Sequence, residues 1–285
     1  MNILVSGANG YLAKKFIKEL IRKNNHHLTL LVRKDSNVED LLKYVNKKNL
    51  IFYDGTIESL NMLKKKNIDL VFHLANYYPD SSRPAIPDKI ISSNLTLITN
   101  IVSSLGDKRN FKVVNISSNA AENDSTLYAN VKLIAEKFLS ENYNCTTYRL
   151  HDTYGAKDPR PKLINQLINY SSDGKVFEMK SPPNKIIHLT YVKDVVSAFL
   201  SIIENPEDNV EYNSTKSFPI KHIYSETMTL KEVIETFNTV SNKKVKISWK
   251  IHTELNQDLK SSGHFPNGWK PKYNLATGLS EILKT

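Results

Sequence analysis

Tyr128-Ala129-Asn130-Val131-Lys132 sets a phenol four residues ahead of a primary amine. On a helix that spacing puts both side chains on one face, about one turn apart. A phenol of pKa ~10 exchanges protons poorly at neutral pH; bringing it to ~7 takes about 3 units, or roughly 4 kcal/mol of preferential stabilisation of the phenolate. A neighbouring ammonium supplies this directly. The pair follows an apolar run ending Asn115-Ile116-Ser117-Ser118, which delivers two hydroxyls to the same neighbourhood.

A second constellation opens the chain. Gly7-Ala8-Asn9-Gly10-Tyr11-Leu12-Ala13 is a G-x-x-G-x-x-A turn between a predicted strand and a predicted helix. Glycines there let the backbone pass close to a pyrophosphate, whose charge is met by free N–H groups and the positive helix end. The second predicted strand ends in Arg33-Lys34, with Asp35 beyond. An acid at that place suits the ribose 2′-hydroxyl of NAD, whereas positive charge suits the 2′-phosphate of NADP. The expected cofactor is therefore NADP(H), with NAD(H) second.

The elements that must position these groups are legible as apolar runs and periods. Strands are expected at 2–6, 28–32, 50–53, 70–74, 112–116 and 145–150, and helices at 11–22, 38–45, 57–65, 90–105 and 128–141. Strands alternating with helices through right-handed crossovers fold most economically as a doubly wound parallel α/β sheet, with function at the strands' carboxyl ends. From His151 the rhythm breaks around Pro159, Pro161, Pro182 and Pro183, with one strand–helix unit embedded at 186–203. The expected division is a nucleotide-binding Rossmann domain over 1–150, with 186–204 returning to it, and a smaller substrate-binding lobe from 151–185 and 205–285.

Composition closes off other classes. The chain has 285 residues, 40% of them hydrophobic, and no apolar run approaches the ~18–20 residues that span a bilayer. The start lacks the pattern of a secretory leader, so the expected location is the cytoplasm. One cysteine, Cys145, forms no internal disulfide, and neither paired-Cys nor HExxH patterns occur, so no metal is expected. The net charge of +10 comes from scattered lysine clusters such as Lys64-Lys65-Lys66 and reads as solvated surface with some attraction for phosphorylated ligands; neither a nucleic acid nor a membrane is an expected partner.

Over nearly its whole length the sequence resembles the extended short-chain dehydrogenase/reductases, the family of nucleotide-sugar epimerases, dehydratases and reductases. Besides the glycine turn and the Tyr128/Lys132 pair, the resemblance rests on Asp54, the run from Asp69 to Ala75, Asn94, Arg149 with Tyr154-Gly155, the run from Tyr191 to Val195, and Gly268-Trp269-Lys270-Pro271. It implies Asp54 near the adenine, with Gly55, Leu74, Ala75 and Asn76 beside the cofactor. Ser117, Tyr128 and Lys132 would touch the cofactor as well, Lys132 through the nicotinamide ribose. Catalysis would fall to Ser118, polarising the substrate oxygen, with Tyr128 and Lys132; Ser117 is the alternative hydroxyl. His73 reads as a satisfied core histidine and Asp194 as a helix cap. A homodimer through the long helices is also implied.

Departures from the family pattern bear on the substrate. Only nine residues, 119–127, separate Ser118 from Tyr128, which cuts short a loop that borders the sugar pocket. Asp152 replaces an Asn, Ala156 a Pro, and Ile187 stands where many members place a pyrophosphate-binding Arg, for which Lys185 or Arg160 could substitute. The expected substrate residues are Tyr77, Asp152, Arg160 and Lys185. The expected reaction is NADPH-dependent reduction of the C4 ketone of a nucleotide-linked 4-keto-6-deoxy or 3,6-dideoxy hexose, as in the abequose and paratose synthases of O-antigen assembly. The alternatives are an NAD-dependent 4-epimerase and, from another class, a non-catalytic NADP-sensing protein.

Overall fold

A computed structural model describes residues 1–23, 26–106, 111–123, 125–205, 220–251 and 265–284. The chain begins with β1 (Asn2–Ser6), α1 (Tyr11–Arg22), β2 (His27–Arg33), α2 (Glu39–Leu42), β3 (Leu50–Tyr53) and β4 (Leu70–His73). It continues through α3 (Pro87–Ile91), α4 (Leu97–Leu105), β5 (Lys112–Ser118), α5 (Leu127–Asn142), β6 (Cys145–Leu150), β7 (Asp152–Tyr154), α6 (Leu163–Asp173) and β8 (Val176–Met179). The remainder is β9 (Ile186–Tyr191), α7 (Val192–Glu204), β10 (Ile220–Ile223), β11 (Glu226–Thr229), α8 (Leu230–Val240), β12 (Lys246–Trp249) and α9 (Leu275–Leu283).

Seven strands form one sheet in the order β10-β6-β5-β4-β1-β2-β3. The pairs from β3 to β6 are all parallel. This is the doubly wound arrangement expected, and the strand order reverses between β1 and β4. Loops leaving neighbouring strands diverge at such a point and open a crevice at the carboxyl ends. Successive strand residues face opposite layers. Val71 joins Leu4, Leu31, Ile98 and Val113 in one buried cluster, whereas Phe72 packs between Phe16 and Phe199 with ring centroids 4.8 and 5.3 Å away.

Three expected helices differ. The 38–45 segment keeps only the four residues of α2, where Leu41 alone is buried and little holds a longer helix. Residues Glu58–Lys65 wind as a 3-10 helix burying Leu60 and Leu63, and their i,i+3 spacing suits that tighter turn. The 90–105 helix is interrupted by a π-helical turn at Ser92–Thr96. There the buried Asn94 amide donates to the carbonyls of Ile90 and Tyr77, and its oxygen accepts from the Tyr77 N–H.

The chain divides into two compact units, Met1–Leu150 with Phe199–His222, and His151–Ala198 with Ile223–Thr285. The expected return of 186–204 to the first domain is corrected in part. β9 pairs with β7 in parallel and β11 antiparallel in a three-stranded sheet of the second unit, which also holds the parallel β8–β12 pair. Of the expected C-terminal lobe, 206–219 and 252–264 lie outside the described residues.

Candidate active site

The crevice edge of the first unit is built around Gly7. Its φ of +66° is a backbone state that L side chains rarely adopt, and a Cβ there would lie 2.6 Å from the Ala75 Cα. Glycine thus lets the turn after β1 touch the chain leaving β4 through Leu74 and Ala75. Gly10 leads into α1, whose N-terminus has no side-chain cap and no acid in its first turn, while α1 itself begins at Tyr11 and Leu12. The Asn9 Oδ1 is buried without a hydrogen-bond partner. An uncapped helix start, a close-approach glycine and an orphaned polar atom fit a dinucleotide's pyrophosphate.

Arg33 ends β2 beside Tyr53, and the Lys34 N–H donates to the Tyr53 carbonyl at 2.8 Å. The Arg33 side chain is 72% exposed and lies 3.7 Å from Asp35, so its charge is solvated and partly offset. Asp54 accepts from the Thr56 hydroxyl and N–H at 2.7 and 3.0 Å, and those bonds hold its carboxyl below the usual range. Gly55 follows with φ +107°.

The α5 helix brings the proton-transfer pair to this edge. Thr126 caps it by accepting from the Ala129 N–H, and Tyr128, Lys132, Ala135, Glu136 and Leu139 form part of its buried face. The Tyr128 hydroxyl donates to the Asn76 Oδ1 at 3.1 Å, just past β4, and its ring meets Tyr78 edge-on at 5.1 Å. Tyr77 packs against the same small cluster, its hydroxyl donating to the Pro84 carbonyl. Lys132, 2% exposed, donates to the Ile116 carbonyl on β5 at 3.3 Å. Burial brings its pKa down to about 8, opposed by the Glu136 charge.

The two serines part ways because consecutive strand residues face opposite sides. Ser117 is buried and donates to Glu136, whereas the half-buried Ser118 accepts from the Ala120 N–H at 3.2 Å and caps the 3-10 turn Asn119–Glu122. Glu136 is also gripped by Arg149, which donates from Nε at 3.2 Å and from Nη2 at 2.8 Å. Sequence reasoning passed over Glu136. The signal was available, since an acid four residues beyond Lys132 continues the Tyr128/Lys132 stripe into the protein.

His73 is only half satisfied. Ser6 Oγ accepts from the N–H groups of Leu74 and Ala75 at 3.2 and 3.3 Å, so its own hydrogen goes to the His73 Nδ1 at 2.7 Å. The neutral ring then carries its proton on Nε2, which is buried and has no protein partner. Burial first, and the Lys132 charge second, lower the His73 pKa to about 3, so the ring is neutral at physiological pH.

The second unit has its own cavity of about 160 Å³, lined by Asp152, Lys162, Ser181, Lys185 and Ile187 among apolar side chains. Lys162 lies 3.3 Å from Asp152. Of the two stand-ins for the missing arginine, Lys185 is part of this lining. Arg160 is not part of the lining, and its guanidinium is already engaged, donating at 2.8 Å both to Asp158 and to the Thr153 hydroxyl. Asp194 does more than cap: its carboxylate accepts from the N–H groups of Lys272 and Tyr273 and from the Ser225 hydroxyl, tying distant segments to α7.

The description of the NAD-dependent epimerase/dehydratase family matches residues 3–215. The chain belongs to that family. Among family relatives it is 24% identical to the CDP-abequose synthase of Yersinia pseudotuberculosis over 85% of each chain. It is 23% identical to the dTDP-4-dehydro-6-deoxyglucose reductase of Escherichia coli, over 99% of this chain and 96% of that one. The fold is shared with UDP-glucose 4-epimerase of Stenotrophomonas maltophila, solved with NAD and formylated UDP-arabinopyranose, at a TM-score of 0.77 and 16% identity over 100% of this chain and 97% of the other. Among the described residues of this family member, no helix is long and apolar enough to cross a membrane.

Proposed function

We propose that this family member is an NADPH-dependent reductase of the C4 ketone of a nucleotide-linked 4-keto-6-deoxy or 3,6-dideoxy hexose, serving O-antigen sugar synthesis in the cytoplasm. The observation that carries the reading is the buried Tyr128/Lys132 face of α5 at the same sheet edge as the Gly7 turn. The names of the two relatives support a sugar reductase, and the Arg33-Lys34 end of β2 favours the 2′-phosphate of NADP. Bound at this edge, the nicotinamide would supply a hydride for the sugar carbon. Ser118 then donates a hydrogen bond to the carbonyl oxygen as negative charge develops there. Tyr128 delivers the proton to that oxygen, and Lys132 keeps the phenol acidic enough to do so. Within the second unit, Asp152, Lys162 and Lys185 give the cavity a charged lining that suits a polar, phosphorylated ligand. Ile91, Leu127 and Ile134, all exposed on α3 and α5, suit a homodimer through these helices.

The 4-epimerase reading is favoured by one observation, the epimerases with bound NAD that share the fold. Net cofactor consumption separates the two. A panel of CDP-, dTDP-, GDP- and UDP-linked 4-keto sugars, offered with NADPH and with NADH and followed at the nicotinamide absorbance, should show NADPH oxidation with one of them. Interconversion of the two 4-hydroxy epimers of a nucleotide sugar, offered in parallel, without NADPH loss would make the protein an epimerase. Tyr128→Phe should lower turnover by ~100-fold or more, the scale of losing a general acid; no turnover by wild type of any 4-keto sugar or of any 4-hydroxy epimer would leave the NADP-sensing reading in its place.

A further inference from the structure

Lys132 and Glu136 lie one helical turn apart and dock on consecutive residues of the same strand, Lys132 on the Ile116 carbonyl and Glu136 on the Ser117 hydroxyl. We propose that Glu136 is a positioning residue of the reaction, whose carboxylate, pinned by Arg149 and Ser117, keeps the desolvated Lys132 in its ammonium form. This rests on the role given above to Lys132.

The requirement follows from burial. An ammonium that is 2% exposed has lost most of its hydration, and without a counter-charge it releases its proton near or below neutrality. A neutral amine would leave Tyr128 an ordinary phenol. The neighbours of Lys132 offer little else that is negative. From α5 comes Glu136, and from the end of β4 comes the neutral His73; Arg149 and Cys145 on β6 meet Glu136. The buried Cys145 thiol is pushed up to about 12, by burial first and in part by the Glu136 charge, which makes it no source of negative charge. Glu122 lies 3.5 Å from both Arg149 and His222, but its side chain is 45% exposed, so its charge is screened by water.

The carboxylate is also fixed in place. Arg149 grips both oxygens and Ser117 donates to one of them, so Glu136 is held on the strand beside Lys132 instead of swinging to solvent. The same bond removes Ser117 from the substrate and leaves Ser118 as the hydroxyl for it. One network thereby sets the charge of the lysine and selects between two adjacent serines.

The test follows Lys132 directly. In protein labelled with ε-13C lysine, the Lys132 signal is identified by its loss in Lys132→Met, and its titration is compared between wild type and Glu136→Gln. The midpoint should lie near 8 in the wild type and about one pH unit or more lower in Glu136→Gln, a tenfold loss of ammonium at a pH between the two. The basic limb of kcat/KM for NADPH-dependent reduction should move down by the same interval. An unmoved Lys132 midpoint overturns the proposal whatever the enzyme's substrate proves to be. A displaced midpoint with an unmoved kcat/KM limb overturns the role of Lys132 in the reaction, and with it the positioning role of Glu136. If Glu136→Gln does not fold, the titration is made in Glu136→Gln with Arg149→Met, where loss of the Arg149 cation offsets part of the fall; a downward displacement smaller than one pH unit is then required, and an unmoved or raised midpoint overturns the proposal.

Discussion

Two ion pairs, one from each unit, differ in what surrounds them. In the first, Glu136 and Arg149 are 4% and 9% exposed, next to the equally buried Lys132 and His73. In the second, the Asp152 and Lys162 side chains that line the cavity are 46% and 24% exposed at a separation of 3.3 Å. Buried charge is costly unless paired, but the field it creates is little screened and its geometry is fixed. Half-exposed charge costs little and can exchange its partner for a ligand. The first arrangement suits proton transfer and the second suits recognition.

Arg149→Ala should break this contrast most severely. It leaves the Glu136 carboxylate buried without its cation and should cost about 3–5 kcal/mol in chemical unfolding; a loss below ~1 kcal/mol would place the buried pair with ordinary surface pairs. Lys132→Met should act in the opposite direction. The folded Lys132 pKa of about 8 lies below the ordinary 10.5, so at any pH below about 8 the native state bears the cost of the buried ammonium. Replacing it should add roughly 2–3 kcal/mol of stability at pH 7 while abolishing turnover, and the gain should shrink as pH rises through 8 to 10.5.

The next effect belongs to His73. Its folded pKa of about 3 lies below the ordinary 6.5, so the unfolded chain takes up a proton first and stability falls as pH drops through that window. About 2 kcal/mol should be lost from this group at pH 5, and His73→Gln should remove that part of the acid slope in unfolding titrations. The smallest effect is expected in the second unit. Lys162→Ala should change stability by less than ~1 kcal/mol and show itself instead as weaker nucleotide-sugar affinity in calorimetric titration.

Much of the site could be read without coordinates because its signals are local. Gly7 and Gly10 stand between a strand and a helix, the Tyr128/Lys132 spacing is helical, and Ser117-Ser118 ends a β-branched run. Glu136 was passed over because an acid on a helix usually faces water; it becomes informative only when its helix face is known to be buried. Arg160 and Lys185 were equal candidates as cations near Ile187, and Asp158 and Thr153, which occupy Arg160, separate them only in three dimensions.

What the amino-acid order determined by itself was the alternation of apolar strands and amphipathic helices, hence a parallel doubly wound sheet with its chemistry at one edge, because these patterns depend on neighbours within a few residues. What tertiary structure alone decided was which partners distant groups acquire. β9 joined β7 and β11 and not the large sheet, Asn94 turned a continuous helical period into a π-helical turn, and Arg149 closed on Glu136. Those choices turn on burial and hydrogen bonding between segments far apart in the chain, which local periodicity does not encode.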